Sequence, residues 1–198
     1  MIGGSASLTG GVDLLERAIS YTLAGLDRAG PEHLSAPTPC EGWDLRALLA
    51  HLNDSLLALY EAVRAGRIRS RVSDLDGDPV ALVRQRARRL RGAWVAAPST
   101  GPVAIADVSV TTSVVAGAGA LEVAVHGWDV ARACGLDQPI PDGLAAELRE
   151  LAPLFITDAD RPALFAAPVA CPPGATPGER LLSFLGRSPE AGPRGNLR

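Results

Sequence analysis

Apolar residues fall on one helical face at Val12, Leu15, Ile19, Leu23 and Leu26, three or four positions apart, and this spacing predicts a first helix. Thr9 stands upstream as its cap and Gly30-Pro31 as its stop. A longer stripe, Leu45, Leu48, Leu49, Leu52, Leu56, Leu59 and Val63, follows Asp44, whose carboxylate suits an N-cap, and a second helix is expected to end near Gly66. The polar run from Arg67 to Asp78 predicts a loop. Asp78-Pro79 then opens a third helix through Trp94, with proline at its first position. From Pro98 to Val110 the helical pattern gives way to "VAIADVSV", a short strand or an extended connection. A fourth helix spans Thr112 to Cys134 and is closed by Gly135.

Four helices of this kind form a bundle, whose interior is the usual place for side-chain metal sites. The expected fold is therefore mainly α, with the bundle over residues 9–135. A small α+β extension over 136–187 is expected to pack on it, followed by a disordered tail over 188–198. The extension is predicted to hold a helix from Pro141 to Leu151 and a last helical turn from Leu181 to Leu185. Between them the Pro-rich stretch "APVACPPGATPGER" has room for a strand.

Composition narrows the chemistry. Aromatics make up only 4% of the 198 residues, so the core is built from Leu, Val and Ala, a mix that favours helices. All 19 basic residues are arginine, which excludes Schiff-base chemistry, a catalytic lysine and the P-loop signature. A net charge of −3 argues against a nucleic-acid partner. Nine arginines do cluster between Arg64 and Arg91, and Arg84, Arg88 and Arg91 share one stripe of the third helix. Without interleaved aromatics, that stripe reads as a solvated face. Cys40, Cys134 and Cys171 are odd in number and widely spaced, so no disulfide framework is expected and a reducing cytoplasm fits best. No apolar run has the length of a membrane span, and the first residues lack the pattern of a signal peptide. These features describe a cytoplasmic protein, monomeric or homodimeric, that acts on a small molecule without a membrane or nucleic-acid partner.

Only three histidines are present, so the ligand inventory is short. His126 follows Glu122 by four positions on the fourth helix, which puts both on one face among Ala, Val and Leu. His51 lies at or near the buried face of the second helix. A carboxylate and imidazoles in such surroundings are costly unless paired or metal-bound. Two readings stay open: a buried His-Glu pair, which spacing alone favours, and a His51, Glu122, His126 set holding a divalent metal with an open position. Asp129 shares the face of His126 and Glu122, where it either orients a ligand or pairs with Arg132 or Arg46. Asp54, three positions after His51, has the same two options, with a solvent-facing position besides. Trp43 and Trp128 are expected to be packing residues, Cys40 a small buried apolar group and His33 a surface residue.

The segments "APTPCEGWDLRALLAHLND" and "ALEVAVHGWDVARACG", followed by "ERLLSFLGRSP", resemble the metal-binding family related to the N-terminal domain of mycothiol-dependent maleylpyruvate isomerase. That family belongs to the DinB-like superfamily of four-helix bundles, and the resemblance covers most of the chain. It implies His51, Glu122 and His126 as ligands of a divalent metal, zinc foremost, with nickel or iron also suited to the set. It also implies a low-molecular-weight thiol such as mycothiol as cosubstrate, since a coordinated thiol ionises at neutral pH. Addition to an electrophilic alkene followed by rotation and elimination is isomerisation; addition alone is S-transfer. The isomerase carries a separate C-terminal domain, whereas only about sixty residues follow the fourth helix here. This chain therefore resembles the shorter members. A thiol-independent metal-assisted lyase, cyclase or hydrolase, and a non-catalytic metal-binding regulatory module, are the alternatives.

Overall fold

Six α-helices and three short strands are found among the residues described in this computed structural model, 10–69, 77–95, 101–161 and 165–188. In chain order these are α1 (Gly11–Leu26), α2 (Leu45–Ala65), β1 (Arg67–Ile68), α3 (Pro79–Val95), β2 (Pro102–Ile105) and β3 (Val108–Thr111). α4 (Thr112–Ala133), α5 (Asp142–Phe155) and α6 (Pro177–Phe184) follow.

α4 is apolar nearly all round, with Val115, Ala120, Val123, Ala124, Val125 and Val130 buried. A helix without a polar face has to be enclosed by others. α1, α2 and α5 enclose it, and α3 closes the bundle against α2 and α1. Leu15, Ile19, Leu48, Leu49 and Leu52 fill the interior from the stripes seen in the sequence. Each fully buried leucine or isoleucine contributes roughly 1.5–3 kcal/mol.

The helix boundaries follow local chemistry. Asp44 Oδ1 accepts the Ala47 N–H at 2.8 Å and caps α2. The helix stops at Gly66, whose φ of 61° lies in the left-handed region that a side chain disfavours. Asp78 Oδ1 accepts the Val80 N–H at 2.9 Å and starts α3. α4 ends before Gly135, φ 72°.

Several expectations are revised. Arg67 and Ile68, read as loop, form β1, which pairs in parallel with β2; β2 and β3 form the antiparallel hairpin foreshadowed by "VAIADVSV". Strand structure was allowed for in the extension, but the three-stranded sheet lies between α2 and α4 instead. The described residues of 136–188 carry helices and turns. α5 continues past Leu151 to Phe155 despite Pro153, because burial of Leu148, Leu151 and Ala152 holds its last turns on the bundle. α6 begins at Pro177, four residues before the expected turn. Thr176 Oγ1 accepts the Glu179 N–H at 3.2 Å while Glu179 Oε2 accepts the Thr176 N–H at 2.6 Å, a capping box legible as T-x-x-E. Thr9, Arg71 and the tail from 189 onward lie outside the described residues. Among the described residues no helix is long and apolar enough to cross a membrane.

Candidate metal centre

α2 and α4 cross so that His51, midway along α2, faces Glu122 and His126, one turn apart on α4. His51 Nε2 lies 2.6 Å from Glu122 Oε1, and His126 Nε2 lies 3.5 Å from the same oxygen. One donor atom from each of the three residues falls within 4.8 Å of the others. The two imidazoles meet edge to face, with centroids 4.9 Å apart. Ser55, one turn beyond His51, donates its hydroxyl to Glu122 Oε1 at 2.9 Å. Spacing alone did not point to Ser55, although its i+4 relation to His51 puts it on the same face.

Charge is balanced within this group. Burial alone would raise the Glu122 carboxyl, but its interactions with His126 and His51 and the Ser55 hydrogen bond outweigh it and bring it down to about 2. The hydrogen bond to Glu122 raises His51 above the ordinary imidazole value against the opposing effect of its burial. Asp54 adds to that rise through its charge, while its own carboxylate accepts from Asn53 Nδ2 at 3.3 Å.

Behind His126 lies a second layer of bonds. His126 Nδ1 donates to Asp129 Oδ2 at 2.9 Å, which leaves Nε2 facing Glu122. Asp129 is fully buried, and its partner is neither Arg132 nor Arg46 but Arg187, which follows α6. Arg187 donates from Nε to Oδ1 at 2.9 Å and from Nη2 to Oδ2 at 2.6 Å. Burial disfavours the Asp129 carboxylate, yet the charge and bonds of Arg187 and His126 hold it well below the usual carboxylate range. Arg132 instead lies over the Trp128 ring.

Cys40 joins this layer. Its Sγ is 3.4 Å from Asp129 Oδ2 and accepts from Arg187 Nη2 at 3.4 Å. Burial and the Asp129 charge push the thiol up to about 12, so it is protonated and unreactive at neutral pH. Cys40, His126 and Asp129 also lie close enough to share an ion, but the Arg187 guanidinium already supplies the cation there. Of the two tryptophans next to the histidine motifs, Trp128 is core, 5% exposed. Trp43 is not: it is 37% exposed and stands beside the histidines, its ring centroid 5.0 Å from that of His51 and 6.5 Å from that of His126. It sits in the turn before α2. His33 is half-buried, its Nδ1 accepting the Gly30 N–H at 3.2 Å.

A cavity of about 190 Å³ opens beside Glu122 and His126, lined on its far side by α5 and the segment around Leu185. The arginine cluster is elsewhere. Arg84 pairs with Asp27 at 3.1 Å, and Arg86 and Arg89 edge an apolar groove of about 410 Å³ between α2 and α3.

A family model described as the mycothiol maleylpyruvate isomerase N-terminal domain matches residues 15–131. The chain belongs to this family. The matched region contains His51, Glu122, His126, Asp129 and Cys40, while Arg187 and most of the far wall of the cavity lie beyond it. Among curated proteins and solved structures, no significant match to the chain was found. Arg187 stands in "ERLLSFLGRSP", a segment set apart in the sequence, but nothing in its spacing pairs it with Asp129.

Proposed function

We propose that the protein is a metal-dependent enzyme that uses a low-molecular-weight thiol of the mycothiol kind for S-transfer to, or isomerisation of, a small electrophile. His51, Glu122 and His126 would hold the divalent ion, with zinc the first choice. The convergence of these three donors from two helices, within 4.8 Å, carries the proposal. Family membership adds the thiol.

The donor set suits the ion. His126 Nε2 and Glu122 Oε1, 3.5 Å apart, are spaced much as two ligands of one tetrahedral zinc, about 3.3 Å for bond lengths near 2 Å. A His ligand whose other ring nitrogen donates to a carboxylate is the common arrangement, and Asp129 fills that role. His51 Nε2, 2.6 Å from Glu122 Oε1, is in direct hydrogen-bond contact and would exchange that bond for one to the shared ion. When bound, the ion supplies Lewis acidity that lets a coordinating thiol ionise at neutral pH.

The chain's own groups do the rest. Ser55 fixes Glu122 Oε1, and Asp129, locked by Arg187, fixes the orientation of His126. Trp43 covers the histidines on the open side. Cys40, protonated, stays out of the thiol chemistry. We assign residues 9–135 as the metal-binding unit and 136–187 as the extension that completes its cavity. The cytoplasm, where three free cysteines stay reduced, is the assigned location.

Metal analysis of the purified protein is the deciding experiment. The wild type is expected to hold about one divalent ion per chain, a number set by one three-donor site. His51→Ala and His126→Ala are expected to lose it. Unchanged metal in both variants overturns the site. Bound metal with no thiol-dependent consumption of electrophilic alkenes or epoxides overturns the thiol chemistry.

A further inference from the structure

The cavity beside Glu122 and His126 has one polar side and otherwise apolar walls. α4 contributes Ala118, Leu121 and Val125, and the later chain contributes Phe155, Phe165 and Leu185. Its volume of about 190 Å³ is below the roughly 300–1,000 Å³ typical of pockets for drug-sized ligands, so its occupant has few heavy atoms. Glu122, His126 and Arg187 complete the lining.

Arg187 is the one arginine of that lining, and its charge is already matched. Nε and Nη2 both serve Asp129. With the thiol on the ion, an incoming carboxylate would have to compete with Asp129 for Arg187, and a second carboxylate would meet either apolar wall or Glu122. Burying an unpaired charge of this kind is strongly unfavourable.

We propose that this cavity is the acceptor pocket and that it selects a small, neutral, predominantly apolar electrophile, such as a cyclic or aryl enone, over a dicarboxylate of similar size. The chemistry rests on the metal and thiol function proposed above, whereas the substrate class rests on the cavity walls. In the addition, the thiolate sulfur forms a bond to the β-carbon and the alkene π pair shifts toward the carbonyl. The α-carbon then takes up one proton, equal to the one the thiol released. The sum is addition of S–H across the double bond, with no oxidant or reductant needed.

The test uses cyclohexanone, an unreactive stand-in for a cyclic enone, and maleate as the dicarboxylate. Both are titrated into the full chain without metal, where no ion can coordinate maleate, and followed by NMR shifts of the Val125 and Leu185 methyl groups, with metal uptake measured separately. Cyclohexanone is expected to bind at least about tenfold more tightly than maleate, a difference well within what one unpaired buried charge costs. Ala118→Leu, which fills the cavity, is expected to weaken cyclohexanone by about tenfold or more with metal content unchanged, and Phe155→Ala to shift preference toward the larger cyclooctanone. Maleate binding as tightly as cyclohexanone overturns the proposal. So does cyclohexanone binding that neither variant alters. Selective cyclohexanone binding in a protein that takes up no metal supports the pocket and overturns the proposed function.

Discussion

Arg187 grips Asp129 with two bonds, Nε to Oδ1 at 2.9 Å and Nη2 to Oδ2 at 2.6 Å, and Asp129 Oδ2 also accepts from His126 Nδ1. A residue just beyond α6 is thus tied through one carboxylate to a candidate metal ligand on α4. Asp129 is fully buried, so the pair stands or falls together. Arg187→Leu leaves that carboxylate without its main counter-charge and is expected to cost about 3–5 kcal/mol in urea unfolding. Adding Asp129→Asn should recover part of the loss, giving a coupling of about 0.5–3 kcal/mol in the double-mutant cycle. Additive losses would mean that the two residues do not act as a pair.

Asp129→Asn alone separates orientation from folding. Asparagine keeps the shape and one acceptor but removes the charge that favours a proton on His126 Nδ1. Affinity for zinc, measured by competition with a chromophoric chelator, is expected to fall about 10–100-fold while the protein remains folded by circular dichroism. Unchanged affinity would restrict Asp129 to a role in the fold.

Much of this was legible in the chain. Asp44, the leucine stripe and Gly66 mark both ends and the buried face of α2, because capping and periodicity are local physics. Glu122 and His126 share a face because they are one turn apart. What placed His51 opposite them was the bundle topology, which periodicity suggests without specifying. The partner of Asp129 was sought among nearby arginines, yet Arg187 is 58 positions away and no local pattern carries that distance. β1 escaped notice because two residues show no alternation, and its pairing with β2 is non-local. Trp43 looked like core by residue type, and its half-open position follows from the turn that holds it.

Gly127, within the "HGWD" segment beside His126, is a point of close approach between α1 and α4. A Cβ there would collide with Thr22, and Thr22 is not free to yield, since its hydroxyl donates to the Val123 carbonyl at 2.8 Å. Gly127→Ala therefore forces the helices apart and is expected to cost about 1–3 kcal/mol despite alanine's better helix propensity. Thermal unfolding checks this, and a neutral or stabilising result would show that α1 shifts without strain.

The absence of lysine makes alkaline titration unusually clean, because tyrosines and cysteines are the side chains that release protons at roughly pH 9–10. Burial and the Asp129 charge raise the Tyr21 phenol well above its ordinary value, and its hydroxyl donates to the Gln138 carbonyl at 2.8 Å. Above pH of about 10 the unfolded chain loses this proton while the folded chain keeps it, so stability falls as pH rises. Tyr21→Phe should remove up to about 1.4 kcal/mol per pH unit of that slope between roughly pH 10 and 11. An unchanged slope would mean that Tyr21 ionises alike in both states.

Cys40 and Cys171 offer the sharpest contrast in reactivity. Cys171 is exposed, whereas Cys40 is partly buried with its thiol pushed up to about 12 by burial and the Asp129 charge. Alkylation requires the thiolate, and at pH 8 a thiol titrating near 12 is ionised only to about one part in ten thousand. Iodoacetamide at pH 8 is therefore expected to modify Cys171 at least about a hundredfold faster than Cys40, as read by peptide mass spectrometry. The Cys40 rate should climb about tenfold per pH unit up to pH 10 as its thiolate fraction grows. Arg187→Leu works on the same thiol from the other side, because the guanidinium is the group that favours its ionised form. In that variant Cys40 should react more slowly still where the fold is intact, as judged by slow modification of Cys134, which is half-buried and whose thiol burial pushes up to about 11. Rapid modification of Cys40 in the folded wild type would contradict its assignment as a buried, protonated partner of Asp129 and reopen it as a nucleophile.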